Sequence, residues 1–128
     1  MAEKRIILAI DDDPMVLRVL TSLLSPAYDL RIAKSAADAK ALLGQFLPDL
    51  ILLDIEMPDV SGFDFLKALK NDPKSMAIPV VIVSGHCETE FDLLARHSGA
   101  SSLVAKPIDK QDLIKKITLA FENSGKHG

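Results

Sequence analysis

The most constraining feature of this sequence is Leu50-Ile51-Leu52-Leu53-Asp54-Ile55-Glu56-Met57-Pro58. Four branched apolar residues run straight into an acid, with a proline and then Gly62 close behind. A short apolar run with no polar alternation is the pattern of a strand covered on both faces, as in a parallel sheet. Such a strand stops where its sheet stops, so Asp54 is expected at the carboxyl edge. Ligand sites of open α/β sheets lie along that edge. A lone aspartate there is equally well explained as the first residue of a polar turn, so the neighbouring strand ends have to decide.

Similar runs flank it. Ile6 to Ile10 reads as a first buried strand and is followed by Asp11-Asp12-Asp13-Pro14. Asp13 suits a helix N-cap and Pro14 the first helical position. Val16, Leu17, Leu20, Leu23 and Leu24 then recur at helical spacing up to Ser25-Pro26. Tyr28 to Ala33 is a strand with polar residues mixed in, as expected at a sheet edge. Ser35 caps a second helix, with Ala39, Leu42, Leu43 and Phe46 on its inner face and Pro48 as its stop. Gly62 opens a third helix carrying Phe65, Leu66 and Leu69, closed by Asn71-Asp72-Pro73. Ile78 to Val83 is a fourth strand, with Pro79 near its start, where a missing donor is tolerated. Glu88 to about His97 is a helix with a thin apolar face (Phe91, Leu94 and Ala95), and Gly99 is its cap. Ser101 to Ala105 is a short fifth strand. Asp109 caps a last helix with Leu113, Ile114, Ile117, Ala120 and Phe121 inward, and Asn123 to Gly128 is expected to fray.

Strand and helix therefore alternate five times. Short right-handed crossovers then require a parallel sheet with helices on both faces. The expected fold is a flavodoxin-like (βα)5 domain of strand order 2-1-3-4-5. The 128 residues are expected to form one domain, with a core of about 5–122 and no interior linker.

That strand order collects the polar residues. Asp11 and Asp12 end strand one, Asp54 ends strand three, Ser84 ends strand four and Lys106 ends strand five. Taken singly, each has an ordinary reading as a cap, a turn or a solvated lysine. Together they place three acids and a lysine at the topological switch point. Clustered carboxylates repel unless a hard cation sits among them, and oxygen ligands at a rigid edge suit Mg²⁺ shared with a phosphate. A hydroxyl and an ammonium beside the ion can bind phosphoryl oxygens. A carboxylate in that setting can act as a nucleophile and form an acyl phosphate.

Ile10-Asp11-Asp12-Asp13-Pro14, Leu53-Asp54-Ile55-Glu56-Met57-Pro58 with Gly62, Val83-Ser84-Gly85 and Ala105-Lys106-Pro107 stand in the order and separation of a known family. Over essentially its whole length the chain resembles the receiver domains of two-component response regulators. The resemblance implies a phospho-acceptor at Asp54, served by a histidine kinase or histidine phosphotransfer protein and acting on a downstream output protein. It implies Mg²⁺ held by Asp11, Asp12, Asp54 and the backbone carbonyl of Glu56. It gives Ser84 and Lys106 to the phosphoryl group and a cis peptide bond to Pro107. It also makes the surface of the last two strands and helices the output contact. Such a chain catalyses only its own phosphorylation and dephosphorylation. The sequence departs from many receivers at Leu103, three positions before the lysine, where an aromatic residue is common; leucine has no ring or hydroxyl to swing. Glu56 and His86 stand where they can set the lifetime of the phosphoryl group. His97 and His127 read as solvent-facing, and Cys87 as a small packing residue.

Two other readings compete. Asp11-Asp12-Asp13 contains the D-x-D spacing of Asp-nucleophile phosphatases of the haloacid dehalogenase type, with Asp11 as nucleophile and Asp13 as acid/base. Met15, the missing cap region and the missing late acids count against it. The second rival is a receiver used only as a binding module. A net charge of −3 disfavours nucleic acid as the main partner. The lone Cys87 excludes a multi-cysteine zinc site. No apolar run reaches the roughly 20 residues of a membrane span. No signal-peptide pattern is present, so no membrane insertion and a cytoplasmic location are expected.

Overall fold

The computed structural model describes residues 4–57, 61–85 and 89–125. The elements follow in the order β1 (Ile6–Ile10), α1 (Pro14–Leu24), β2 (Asp29–Ala33), α2 (Ala36–Leu43), β3 (Leu50–Asp54), α3 (Gly62–Asn71), β4 (Val80–Ser84), α4 (Thr89–His97), β5 (Ser102–Ala105) and α5 (Lys110–Gly125). All strand pairs are parallel, and the sheet order is β2-β1-β3-β4-β5. This is the expected flavodoxin-like (βα)5 arrangement, with β2 at an edge.

Every residue of β3 and β4 is buried, because helices cover both faces. Ile7, Ala9, Leu50, Leu52, Val81, Val83 and Val104 pack with Leu17, Leu20 and Leu24 of α1 and with Leu113, Ile117 and Ala120 of α5. On the other face Leu8, Ile10, Ile51, Leu53 and Ile82 pack with Ala36 and Ala39 of α2, Phe65, Leu66 and Leu69 of α3, and Ala95 of α4. The period-2 alternation of each strand divides its side chains between the two layers.

Several boundaries differ from expectation for local reasons. Tyr28 is not in β2; its N–H still bonds Leu24 O (2.8 Å), within the exit turn of α1. Helix α2 stops at Leu43 because Gly44 caps it, well before Pro48. β4 begins only after Pro79, which has no N–H to pair, although its carbonyl accepts from Ile51 N (3.0 Å). α5 continues through Gly125 instead of fraying at Asn123. Phe121 anchors that last stretch: its ring stacks on Tyr28 (centroids 5.9 Å apart) and lies under the guanidinium of Arg5 (4.3 Å). The expectations for Pro58, His86, Cys87, Glu88 and His127 fall outside the described residues.

Candidate phosphoryl-acceptor site

β1 delivers the first acids. Asp11 follows its last residue, and the Asp11 amide bonds Ala33 O of β2 (3.1 Å). The Asp11 side chain is 2% exposed, with Oδ1 accepting from Asp13 N (2.9 Å). Asp13 turns away from this group. Its Oδ1 accepts from Met15 N (2.9 Å) as the N-cap of α1, with Pro14 at the first helical position. Asp13 is exposed and committed to this cap, so the phosphatase reading loses its acid/base.

β3 delivers Asp54, also buried, and its Oδ1 accepts from Glu56 N (3.0 Å). β5 delivers Lys106. Its backbone N–H bonds Ser84 O (2.8 Å), and the peptide bond to Pro107 is cis. The Lys106 ammonium lies 3.4 Å from Asp11 Oδ2 and 3.6 Å from Asp54 Oδ1. Carboxylate oxygens of Asp11, Asp12 and Asp54 lie within 4.8 Å of one another. The three strand-end acids and the lysine expected to converge do converge.

The electrostatics follow from this crowding. Burial raises the Asp54 carboxyl above the ordinary aspartate range; the Glu56 amide opposes that, the Asp11 charge adds to it, and Lys106 opposes it. For Lys106, burial works against the charge. The fields of Asp11 and then Asp54 outweigh it, and the ammonium is held above its ordinary range. One atom of the cluster is under-served: among the described residues, Asp11 Oδ2 is buried without a hydrogen bond and has the Lys106 ammonium at ion-pair distance. A buried carboxylate oxygen of this kind is costly. An orphaned oxygen among three all-oxygen donors fits a hard divalent cation such as Mg²⁺.

Ser84, fully buried at the end of β4, is held by a contact that sequence reasoning does not foresee. Its Oγ donates to Glu56 Oε1 (2.9 Å), which also accepts from Gly85 N (3.2 Å). From sequence, Glu56 is a modulator of water attack and its backbone carbonyl a metal ligand; the hold of its side chain on Ser84 is additional. Its position two residues after Asp54 is the available signal, but its partner across the sheet edge is not visible in sequence. Leu103, where an aromatic is common, packs in the core beside α4, and its carbonyl accepts from Lys116 of α5. His97, in the last turn of α4, is exposed, as its solvent-facing reading expects.

A parallel five-stranded α/β sheet with acids at the ends of β1 and β3 facing a lysine beyond β5 defines a class, and the comparisons agree with it. The family model described as the response regulator receiver domain matches residues 7–118. The chain belongs to the response regulator receiver family. It is 34% identical to protein PilH of Pseudomonas aeruginosa over 112 residues, covering 87% of this chain and 93% of PilH. It is 35% identical to response regulator PleD of Caulobacter vibrioides, covering 87% of this chain but 25% of PleD. The chain thus spans nearly all of one relative and only a quarter of another. Among solved structures, a CheY-like receiver domain protein of Methanospirillum hungatei superposes with a TM-score of 0.88 at 26% identity, covering 98% of this chain and all of that one. Chemotaxis protein CheY4 of Vibrio cholerae, at 24% identity and a TM-score of 0.85, covering 92% of this chain and 99% of that one, shares the fold. Response regulators receive signals from kinases and act on output partners. No described helix is long and apolar enough to cross a membrane.

Proposed function

We propose that this chain is a Mg²⁺-dependent phosphorylation switch, formed by one cytoplasmic receiver domain, in which Asp54 is the acceptor. The observation that carries the reading is the buried Asp54 carboxylate, paired with Lys106 and grouped with Asp11 and Asp12 at the carboxyl edge of the sheet. Asp11, Asp12, Asp54 and the backbone carbonyl of Glu56 would hold Mg²⁺, which when bound would neutralise the acids and offset charge on the incoming phosphoryl group.

The remaining roles belong to the chain. A carboxylate oxygen of Asp54 attacks phosphorus. The new O–P bond forms as the donor's P–N or P–O bond breaks, and the donor keeps that electron pair. The Glu56 amide, bonded to Asp54 Oδ1, orients the nucleophile. Lys106 moves from the paired carboxylates towards a phosphoryl oxygen. Ser84 exchanges its bond to Glu56 for one to another phosphoryl oxygen. With Leu103 fixed in the core, that exchange and the loops after β3 and β4 carry the signal.

A histidine kinase or histidine phosphotransfer protein supplies the group, and an output protein reads the result. The contact face is that of β4, α4, β5 and α5, where Leu93, Leu94 and Leu119 are exposed. The chain catalyses only its own phosphorylation and dephosphorylation. The reading is tested by treating the protein with Mg²⁺ and acetyl phosphate, trapping the acyl phosphate with borohydride and sequencing the peptides. Homoserine at position 54 supports it; homoserine at position 11 would support the phosphatase chemistry instead.

A further inference from the structure

A cavity of about 350 Å³ lies between α2 and α3 at the amino edge of the sheet, the opposite end from Asp54. It follows from the early stop of α2. Gly44 caps that helix at Leu43, short of Pro48, so the last turns of α3 have no full-length neighbour. Phe65 and Leu69 of α3 supply the buried part of the lining, and half-buried Leu43 of α2 adds to it. Leu47, beyond the helix end, lines the cavity while 53% exposed. The turn at 72–75 completes the lining, which thus draws on four chain segments and not on a stripe along one helix. An apolar hollow with a few polar groups has the build of a small-molecule site, whose volumes run from about 300 to 1,000 Å³.

The charges of the lining select the kind of molecule that fits. Lys40 of α2 and Lys74 of the turn are both exposed, and neither ammonium has a hydrogen-bond or ion-pair partner among the described residues. Asp72 is the one acid among the described lining residues, and its Oδ1 is engaged in its own turn, accepting from Lys74 N (2.9 Å). Two cations against one acid leave an excess of one positive charge, which matches a monoanion. A lysine lays its stem along apolar surface while its ammonium stays in water. A charged head at the mouth and an apolar body inside therefore satisfy both parts of the lining. Ala68, exposed on α3, contributes only a methyl group and leaves room for that body.

We propose that this cavity binds a medium-chain alkyl carboxylate, its chain against Leu43, Leu47, Phe65 and Leu69 and its carboxylate served by Lys40 and Lys74. The site is separate from Asp54 and does not rest on the phosphoryl-acceptor reading. A phosphate head would bring a second negative charge towards Asp72, so a single carboxylate is the better match.

The test is an amide-resonance titration of the full chain without Mg²⁺, at constant ionic strength and submicellar concentration, with octanoate, hexanoate, octanol and acetate in separate arms. Saturable octanoate shifts grouped at residues 40–47, 65–69 and 72–75 support the site. Hexanoate should bind roughly threefold to tenfold more weakly, the scale of two partly buried methylenes, and acetate should give no saturable shift at these residues. Lys40→Gln combined with Lys74→Gln should weaken octanoate by about threefold to tenfold, the scale of two exposed ion pairs, and leave octanol unchanged. Ala68→Phe should abolish binding by filling the cavity, at an unchanged melting temperature, since Ala68 is exposed and outside the core. Octanoate shifts that do not saturate, octanol bound as tightly as octanoate by the wild type, or undiminished octanoate affinity in either variant would overturn the proposal. So would shifts at these residues on raising the protein concentration alone, which would assign the face to a second copy of the chain.

Discussion

Asp54 sits in an environment that opposes its own charge. Its carboxyl is raised by burial and by Asp11, so the folded protein holds that proton to a higher pH than the unfolded chain does. Ionised Asp54 therefore costs stability; the cost is absent below the ordinary aspartate value of about 3.9 and grows as the pH rises through the folded value. Asp54→Asn is expected to raise the melting temperature at neutral pH without Mg²⁺, with the gain vanishing in acid; equal melting at both pH values would contradict this. Glu56 gives a second prediction at this scale. Its carboxylate holds the Ser84 hydroxyl, and in the proposed mechanism a phosphoryl group must take that hydroxyl over, so Glu56→Ala should speed phosphoryl uptake from acetyl phosphate by roughly threefold to tenfold, the scale of one hydrogen bond. A time course of adduct mass measures it, and a slower variant would rule out the competition. Asp11, Asp12, Asp54, Ser84 and Lys106 are legible in sequence because each ends or closely follows a strand and strand ends share an edge. The grip of Glu56 on Ser84 is not, because it joins side chains 28 residues apart and depends on rotamers that no periodicity encodes.

Among the elements, α3 holds the acceptor loop at an unusually close approach. A Cβ on Gly62 would lie 2.1 Å from Ile55 Cα, and the Gly62 amide bonds Ile55 O (3.3 Å). The helix start is thus pressed against the residue that follows Asp54. Gly62→Ala must push α3 and that residue apart, at a cost of about 1–3 kcal/mol, as for other overpacked sites. Denaturant unfolding should show the loss, and phosphoryl uptake should fall with it; a variant of unchanged stability would contradict the contact. Sequence places this glycine at the helix start but offers no steric reason for it, since Ile55 becomes its neighbour only when α3 packs back on the sheet. Lys70 shows the same limit. On a helical wheel it is a surface lysine, yet its ammonium binds Met76 O (3.2 Å) and Ile78 O (2.7 Å), closing the turn that leads into β4. Element identity is legible throughout because apolar period and turn residues agree at every step. Element ends are less so: Gly44 overrides Pro48, and Phe121 carries α5 past its polar tail.

At the scale of the whole molecule, the proposed Mg²⁺ site would couple stability to a cation. Bringing Asp11, Asp12 and Asp54 together is unfavourable without one, and a ligand that binds only the folded state stabilises it by mass action. Mg²⁺ at roughly ten to a hundred times its Kd should add about 1–3 kcal/mol. The gain should appear as a rise in melting temperature, be reversed by a chelator, and be absent in Asp11→Ala with Asp12→Ala. The strand order is readable because five alternating strand–helix units joined by short right-handed crossovers point to the doubly wound sheet. The central claim, that Asp54 is a phosphoryl acceptor, is tested most directly by intact-protein mass after incubation with Mg²⁺ and acetyl phosphate. One added phosphoryl group is expected on the wild type, and none on Asp54→Ala or in the chelated control. An unmodified wild type that releases no inorganic phosphate, or a phosphoryl group that persists on Asp54→Ala, would contradict it.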